Sequence, residues 1–283
     1  MKKLTVICCF IISNFLVNAQ DQKLENSVLW KIEHKDLAKP SYLLGTIHIL
    51  CEDDFSIPEK VTKAFNETEN LVLEVDLSNT EALVEAQQKM ISSGKLTEKL
   101  SQEQQLFLDS LLQKELKMTL EMVNNYSLMA VYSLLTQQGL NCPTKKMYEF
   151  ELINLAQAKT KPIAGLETLN DQLDFFAKAY PKDFLWQQIE LYSAYKLMFK
   201  DMVKHYKNED ISTLFAGMKD ERFFNKNAEH WMLTVRNTNW IKLMPDMMKK
   251  QSNLFAVGAA HLVGKNGVIE LLRKEGYKVT PVL

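Results

Sequence analysis

The sequence predicts an α/β (α+β) protein, a mixed central sheet with a large helical insertion or cap. Three observations predict it. Short apolar runs of strand length recur at 28–33, 41–45, 70–75, 162–166, 253–257 and 277–282. Long stretches with apolar residues at helical spacing lie between them. The order is two strands and a third, a helical insertion, a strand, more helices, then strand–helix–strand. That alternation belongs to a layered α/β architecture.

The elements follow in order. Residues 1–19, MKKLTVICCFIISNFLVNA, have a basic start, an apolar middle and small residues before Gln20. This is the layout of a secretory signal cut after Ala19, and it implies a periplasmic or secreted protein. An uncleaved anchor is the alternative, but the apolar stretch falls short of the roughly 20 residues a spanning helix needs. No later segment is apolar enough to span a membrane, so residues 20–283 read as one domain. Runs 28–33 and 41–45 flank a polar turn closed by Pro40, which reads as a hairpin. Run 70–75 is almost wholly apolar, as a buried parallel strand would be. Ser78 to Glu81 matches a capping box before a helix at 82–91, and Ser101 to Gln104 matches a second before 106–116. Helical spacing continues over 119–135, 183–206 and 227–250, the last broken near Pro245. A helix at 267–274 stops at Gly276 before the final strand. The cap regions are thus about 78–140 and 169–250.

Composition narrows the function. Lys plus Arg number 34 against 35 Asp plus Glu, so there is no basic footprint for a nucleic acid. Beyond the leader the cysteines are Cys51 and Cys142. In an exported chain such a pair reads as a disulfide, with two free buried thiols as the alternative.

Candidate chemistry gathers at strand exits. Gly45-Thr46-Ile47-His48 follows the second strand. Glu74 and Asp76 follow the third. Glu167 follows 163–166, and Gly258-Ala259-Ala260-His261 follows 253–257. Ligands of open α/β sheets bind beyond the carboxyl ends of the strands. If these strands are parallel neighbours, their side chains meet on one rim. Two His and a carboxylate form a three-ligand catalytic metal set. The glycine of each Gly-x-x-His allows either a positive φ or a close backbone approach. Glu74 lies inside an apolar run and needs a partner or a metal if buried. Asp76 fits the turn before Ser78. Glu167 fits either the site or the start of a helix. Arg236 and Asn237 stand in a helical stretch, where an Arg can hold a carboxylate or stabilise an oxyanion.

In order, YLLGTIH, LEVD, GLET, Arg236-Asn237 and VGAAHLVG resemble the blocks of the TraB/GumN family, which includes the Tiki proteins. The resemblance covers about the whole chain after the leader. It implies a fold akin to the erythromycin-esterase and ChaN-like group. Through the Tiki members it implies a metal-dependent hydrolase, most naturally a peptidase acting on a peptide or protein. The metal would be divalent, manganese or cobalt by resemblance, with zinc also compatible. His48, Glu74 and His261 would be its ligands, Glu74 serving as ligand or general base. Glu167 would carry a proton, and Arg236 and Asn237 would support the site. Two rivals stay open: a non-catalytic protein holding a peptide, haem or metal, and a small-molecule esterase.

Overall fold

The computed structural model describes residues 24–91 and 94–283. The predicted leader lies outside them. The main sheet comprises β1 (Leu29–Glu33), β2 (Ser41–Thr46), β4 (Asn70–Leu73), β6 (Ile163–Gly165), β7 (Asn253–Gly258) and β8 (Lys278–Pro281), in the order β6-β4-β7-β2-β1-β8. β2, β4, β6 and β7 run parallel to one another, whereas β1 is antiparallel to both β2 and β8. Every residue of β2, β4 and β7 is buried. Helices cover both faces of such a centre, which is why these strands read as unbroken apolar runs. β3 (Ile49–Cys51) and β5 (Lys145–Met147) form a separate antiparallel pair that the sequence did not reveal. Three residues are too few for an alternation to show.

Register aligns the strand exits. Leu44 pairs with Ala256, Ala256 with Leu73, and Leu73 with Gly165, so the four parallel strands end in one row. The candidate residues lie one to five positions beyond that row.

The helical insertions build two satellite cores. One joins Leu108 and Leu112 to Val131, Trp186 and Ile189. The other gathers Ala179, Phe215, Phe224, Ala228 and Leu233. Several helical expectations need correction. The stretch 119–135 is a 3-10 turn, Glu121–Val123, followed by a helix at Leu128–Gln137. The Asn124 carbonyl and side chain are taken by the N–H groups of Leu96 and Thr97, and Ser127 caps the new helix. Ser101 and Gln104 form the expected capping box, but Ser78 does not form one. Its hydroxyl goes to Asp76, and Asn79 takes the Glu81 N–H. Residues 183–206 form two helices, Lys182–Glu190 and Tyr192–Lys207. Pro245 sits inside a continuous helix, Arg236–Lys250. The irregularity lies earlier, as a π-helical turn at His230–Val235. Among the described residues no helix is long and apolar enough to cross a membrane.

Candidate functional site

The two Gly-x-x-His glycines resolve the choice left by the sequence. Neither has a positive φ. Gly45 is there for close approach, since a Cβ on it would lie 3.1 Å from the Ala259 backbone. A Cβ on Gly258 would lie 3.3 Å from Glu74 Oε1, 3.4 Å from His48 Nε2 and 3.6 Å from His261 Cδ2. The missing side chain thus leaves a cradle bounded by two imidazoles and a carboxylate.

Each of the three is fixed by a second contact. Glu74 is buried; its Oε1 accepts the Gly258 N–H at 2.7 Å and lies 3.6 Å from His261 Nε2. Its Oε2 accepts from Arg236 Nη2 at 2.5 Å and from Gln172 Nε2 at 3.1 Å. Burial opposes its charge, but Arg236, both imidazoles and the Gly258 amide outweigh burial and hold it well below the usual carboxylate range. His261 is buried too. Asn237 donates from Nδ2 to the carbonyls of His261 and Asn266, so its Oδ1 faces His261 Nδ1 at 2.6 Å. Burial and then Arg236 push His261 down to about 3. The ring is therefore neutral, protonated at Nδ1, with the Nε2 lone pair turned to Arg236 Nη1 at 3.1 Å. Trp240 packs on the same ring at 4.4 Å.

His48 is the open member, with 61% of its side chain exposed. Its Nδ1 meets Glu149 Oε1 at 2.8 Å, and Thr46 Oγ1 donates to the same oxygen. The Glu149 carboxylate raises the His48 pKa, although water on the exposed ring screens the pair. A backbone bond from Tyr148 N–H to the His48 carbonyl holds the two segments together. So does a disulfide between Cys51 and Cys142, whose Cα atoms are 5.9 Å apart.

Glu167 carries no free lone pair of consequence. Arg236 grips both its oxygens, at 2.7, 2.9 and 3.2 Å, while Trp240 Nε1 and Gln172 Nε2 donate at 3.1 and 3.2 Å. Burial raises its pKa against the pull of Arg236. The π-helical turn also serves Arg236, whose Nη1 is held by the Met232 carbonyl at 3.2 Å.

The structure therefore brings His48, Glu74, Glu167, Arg236, Asn237 and His261 together. Asp76 stays apart, accepting from Ser78. Glu149, Gln172 and Trp240 were not singled out from the sequence. Trp240 had a signal, since it lies one helical turn from Arg236. Gln172 had a fainter one, one turn into the helix that starts after Glu167. Glu149 had none. Among the described residues no three His, Cys, Asp or Glu side chains are grouped tightly enough to ligate one metal ion. The Arg236 guanidinium stands between the expected ligands.

A profile of the TraB/PrgY/gumN family matches residues 28–281. Metalloprotease TIKI2 of Danio rerio is 22% identical over 323 aligned positions, which cover 91% of this chain and 61% of that protein. This chain thus spans about three-fifths of that relative's length. No solved structure matches it. With nearly all of its described residues inside the profile, the chain belongs to the TraB/PrgY/gumN family.

Proposed function

We propose that this chain is an exported, metal-dependent hydrolase that cleaves peptide bonds. One observation carries the proposal. Two carboxylates, Glu74 and Glu167, share the single buried guanidinium of Arg236, while a third, Glu149, is paired with His48. Buried charge must be paired or hold a cation. A divalent cation would supply the missing positive charge; His48, Glu74 and His261, which converge on the cradle above Gly258, would hold it once Arg236 gives up the His261 Nε2 lone pair. The donor set, two imidazoles and a carboxylate, suits manganese, cobalt or zinc. The likeness to a metalloprotease supports a metal and a protein or peptide substrate. The Cys51–Cys142 bond supports an oxidising compartment, periplasmic or extracellular.

The bound metal would supply Lewis acidity and a water acidic enough to attack a carbonyl. The protein's part is orientation. Glu149 fixes the His48 tautomer so that Nε2 faces the cradle. Asn237 does the same for His261. Glu74 accepts the Gly258 N–H, which turns Oε1 inward. Arg236, fastened by Glu167 and Met232, has all five N–H groups engaged and so orients Glu74 and His261. Glu167 acts as that anchor rather than as a proton carrier, because donors occupy both its oxygens.

The test is metal analysis of the purified chain together with peptide-library cleavage. Stoichiometric metal that is lost in His48→Ala and in His261→Ala, with loss of cleavage, is the expected result. An intact chain that takes up no divalent metal overturns the mechanism. Metal without any cleavage points to the binding-protein rival, and turnover confined to esters points to the esterase.

A further inference from the structure

The helix Leu169–Ala179 begins at the site, where Gln172 Nε2 reaches Glu74 and Glu167. Its same face continues through Phe176, and Tyr180 follows one turn later. Phe184 comes next, in Lys182–Glu190. The rings stack in sequence: Phe176 on Tyr180 at 4.7 Å, then Tyr180 on Phe184 at 5.5 Å. Tyr132, from the Leu128–Gln137 helix, faces them at 6.3 Å from Phe176 and 6.5 Å from Tyr180. Tyr195 adds a third phenol from Tyr192–Lys207.

These rings are not core. All five are half-buried. Tyr132 and Tyr195 fringe one satellite core, Tyr195 also packing on the main core; Tyr180 and Phe184 fringe the other, and Phe176 belongs to neither. They line the seam between the two. Among the described residues the hydroxyls of Tyr132 and Tyr195 have no hydrogen-bond partner, and that of Tyr180 has only a long one to the Phe223 carbonyl, 3.5 Å. Burial pushes all three well above the ordinary tyrosine range, and neighbouring phenols add to it at Tyr180 and Tyr195. Apolar walls carrying a few polar groups are the usual make-up of a ligand site.

We propose that this aromatic seam is a specificity subsite that takes a bulky apolar or aromatic side chain of an extended peptide substrate. The occupant follows from continuity with the site through Gln172 and from an uncharged lining, and it rests on the peptidase reading above. Phe176 and Tyr180 lie about 6 and about 12 Å along the helix from Gln172. An extended peptide advances about 3.3 Å per residue. The selected side chain therefore lies about two to four residues from the bond that is cut.

The test uses the intact chain and a set of peptides varied one position at a time among Phe, Leu, Gly and Glu. Cleavage is profiled with metal, and binding is measured by calorimetry in chelator. Phe and Leu at one position should bind about tenfold or more tighter than Gly or Glu. Phe176→Ala, checked for folding by its melting curve, should reduce that ratio below about threefold and raise KM rather than lower kcat. Tyr132→Phe, which keeps the ring, should preserve it. Binding by the unmodified chain that ignores the side chain, or unchanged discrimination in folded Phe176→Ala, overturns the subsite. If Phe176→Ala does not fold, the unmodified chain's discrimination decides alone. Aromatic-selective binding without hydrolysis overturns the peptidase reading and leaves the subsite, whereas unselective hydrolysis does the reverse.

Discussion

Gly258→Ala tests the cradle with a single methyl group. The backbone there, φ −54° and ψ 135°, is one that alanine adopts freely. The methyl would meet Glu74 Oε1 at 3.3 Å and His48 Nε2 at 3.4 Å. Comfortable contacts to carbon run about 3.5–4.0 Å, so these donors must retreat by a few tenths of an ångström. Glu74 has little freedom, being held by Gly258, Arg236 and Gln172. Ligand constellations tolerate errors of about 0.5 Å, and losses of about 10–100-fold in metal affinity follow when supporting contacts are disturbed. The expected result is that loss in affinity, with the melting temperature of the metal-free chain moved by no more than about 2–4 °C. Equilibrium dialysis with elemental analysis reads the first, and calorimetry in chelator reads the second. A folded Gly258→Ala chain that binds metal as tightly as the original would show that the cation does not sit above Gly258.

Asn237→Ala strips His261 Nδ1 of its acceptor and the His261 and Asn266 carbonyls of a donor. Each unsatisfied buried group costs about 1–3 kcal/mol, and metal affinity should fall about 10–100-fold. Denaturant melts paired with metal titration check both, and an unchanged affinity would remove Asn237 from the site. Glu69 is drawn down to about 2 by the Ser252 amide, by Lys39 and by the Ser252 hydroxyl. Its folded pKa lies below the ordinary value of about 4.3, so its contribution is present above that pH and is lost as pH falls toward 2. Glu69→Gln should flatten the stability curve in that window; an identical acid slope in denaturant melts at several pH values would sink the assignment. Cys142→Ser opens a link across 91 residues and should cost about 2–5 kcal/mol, with weaker metal binding because β3 and β5 carry His48 and Glu149 to each other. Coincident melting curves with and without reductant would refute that stabilisation.

The main sheet was legible because buried parallel strands leave an unmistakable trace, a continuous apolar run ending abruptly in glycine or acid. Leu71-Val72-Leu73-Glu74 and Phe255-Ala256-Val257-Gly258 show it most plainly. The same trace located the ligand candidates, since the residue type changes where the strand leaves the core. What failed depended on long-range contacts. The Asn124 carbonyl satisfies a helix start almost thirty positions earlier in the chain, and nothing local announces it. Pro245 sits inside an unbroken helix, so proline propensity alone overstated its effect. Glu149 follows the three-residue strand β5, so neither periodicity nor a motif marks it. Its role exists only because β5 pairs with β3.

That last point exposes a division of labour within the site. The proposed ligands, His48, Glu74 and His261, come from the ends of sheet strands. Their orienting partners come from elsewhere: Glu149 from the helix Tyr148–Ala158, Gln172 from Leu169–Ala179, and Arg236, Asn237 and Trp240 from Arg236–Lys250. A sheet ties its strands in fixed register, so the spacing among the ligands is set by main-chain hydrogen bonds and tolerates much change outside. The helices lie outside that register, and Leu169–Ala179 and Arg236–Lys250 each carry both an orienting side chain and part of the cap. Gln172 shares its helix with Phe176 and touches Glu74, so a displacement of that whole helix, unlike the loss of one ring from it, would change both what binds and how firmly Glu74 is held.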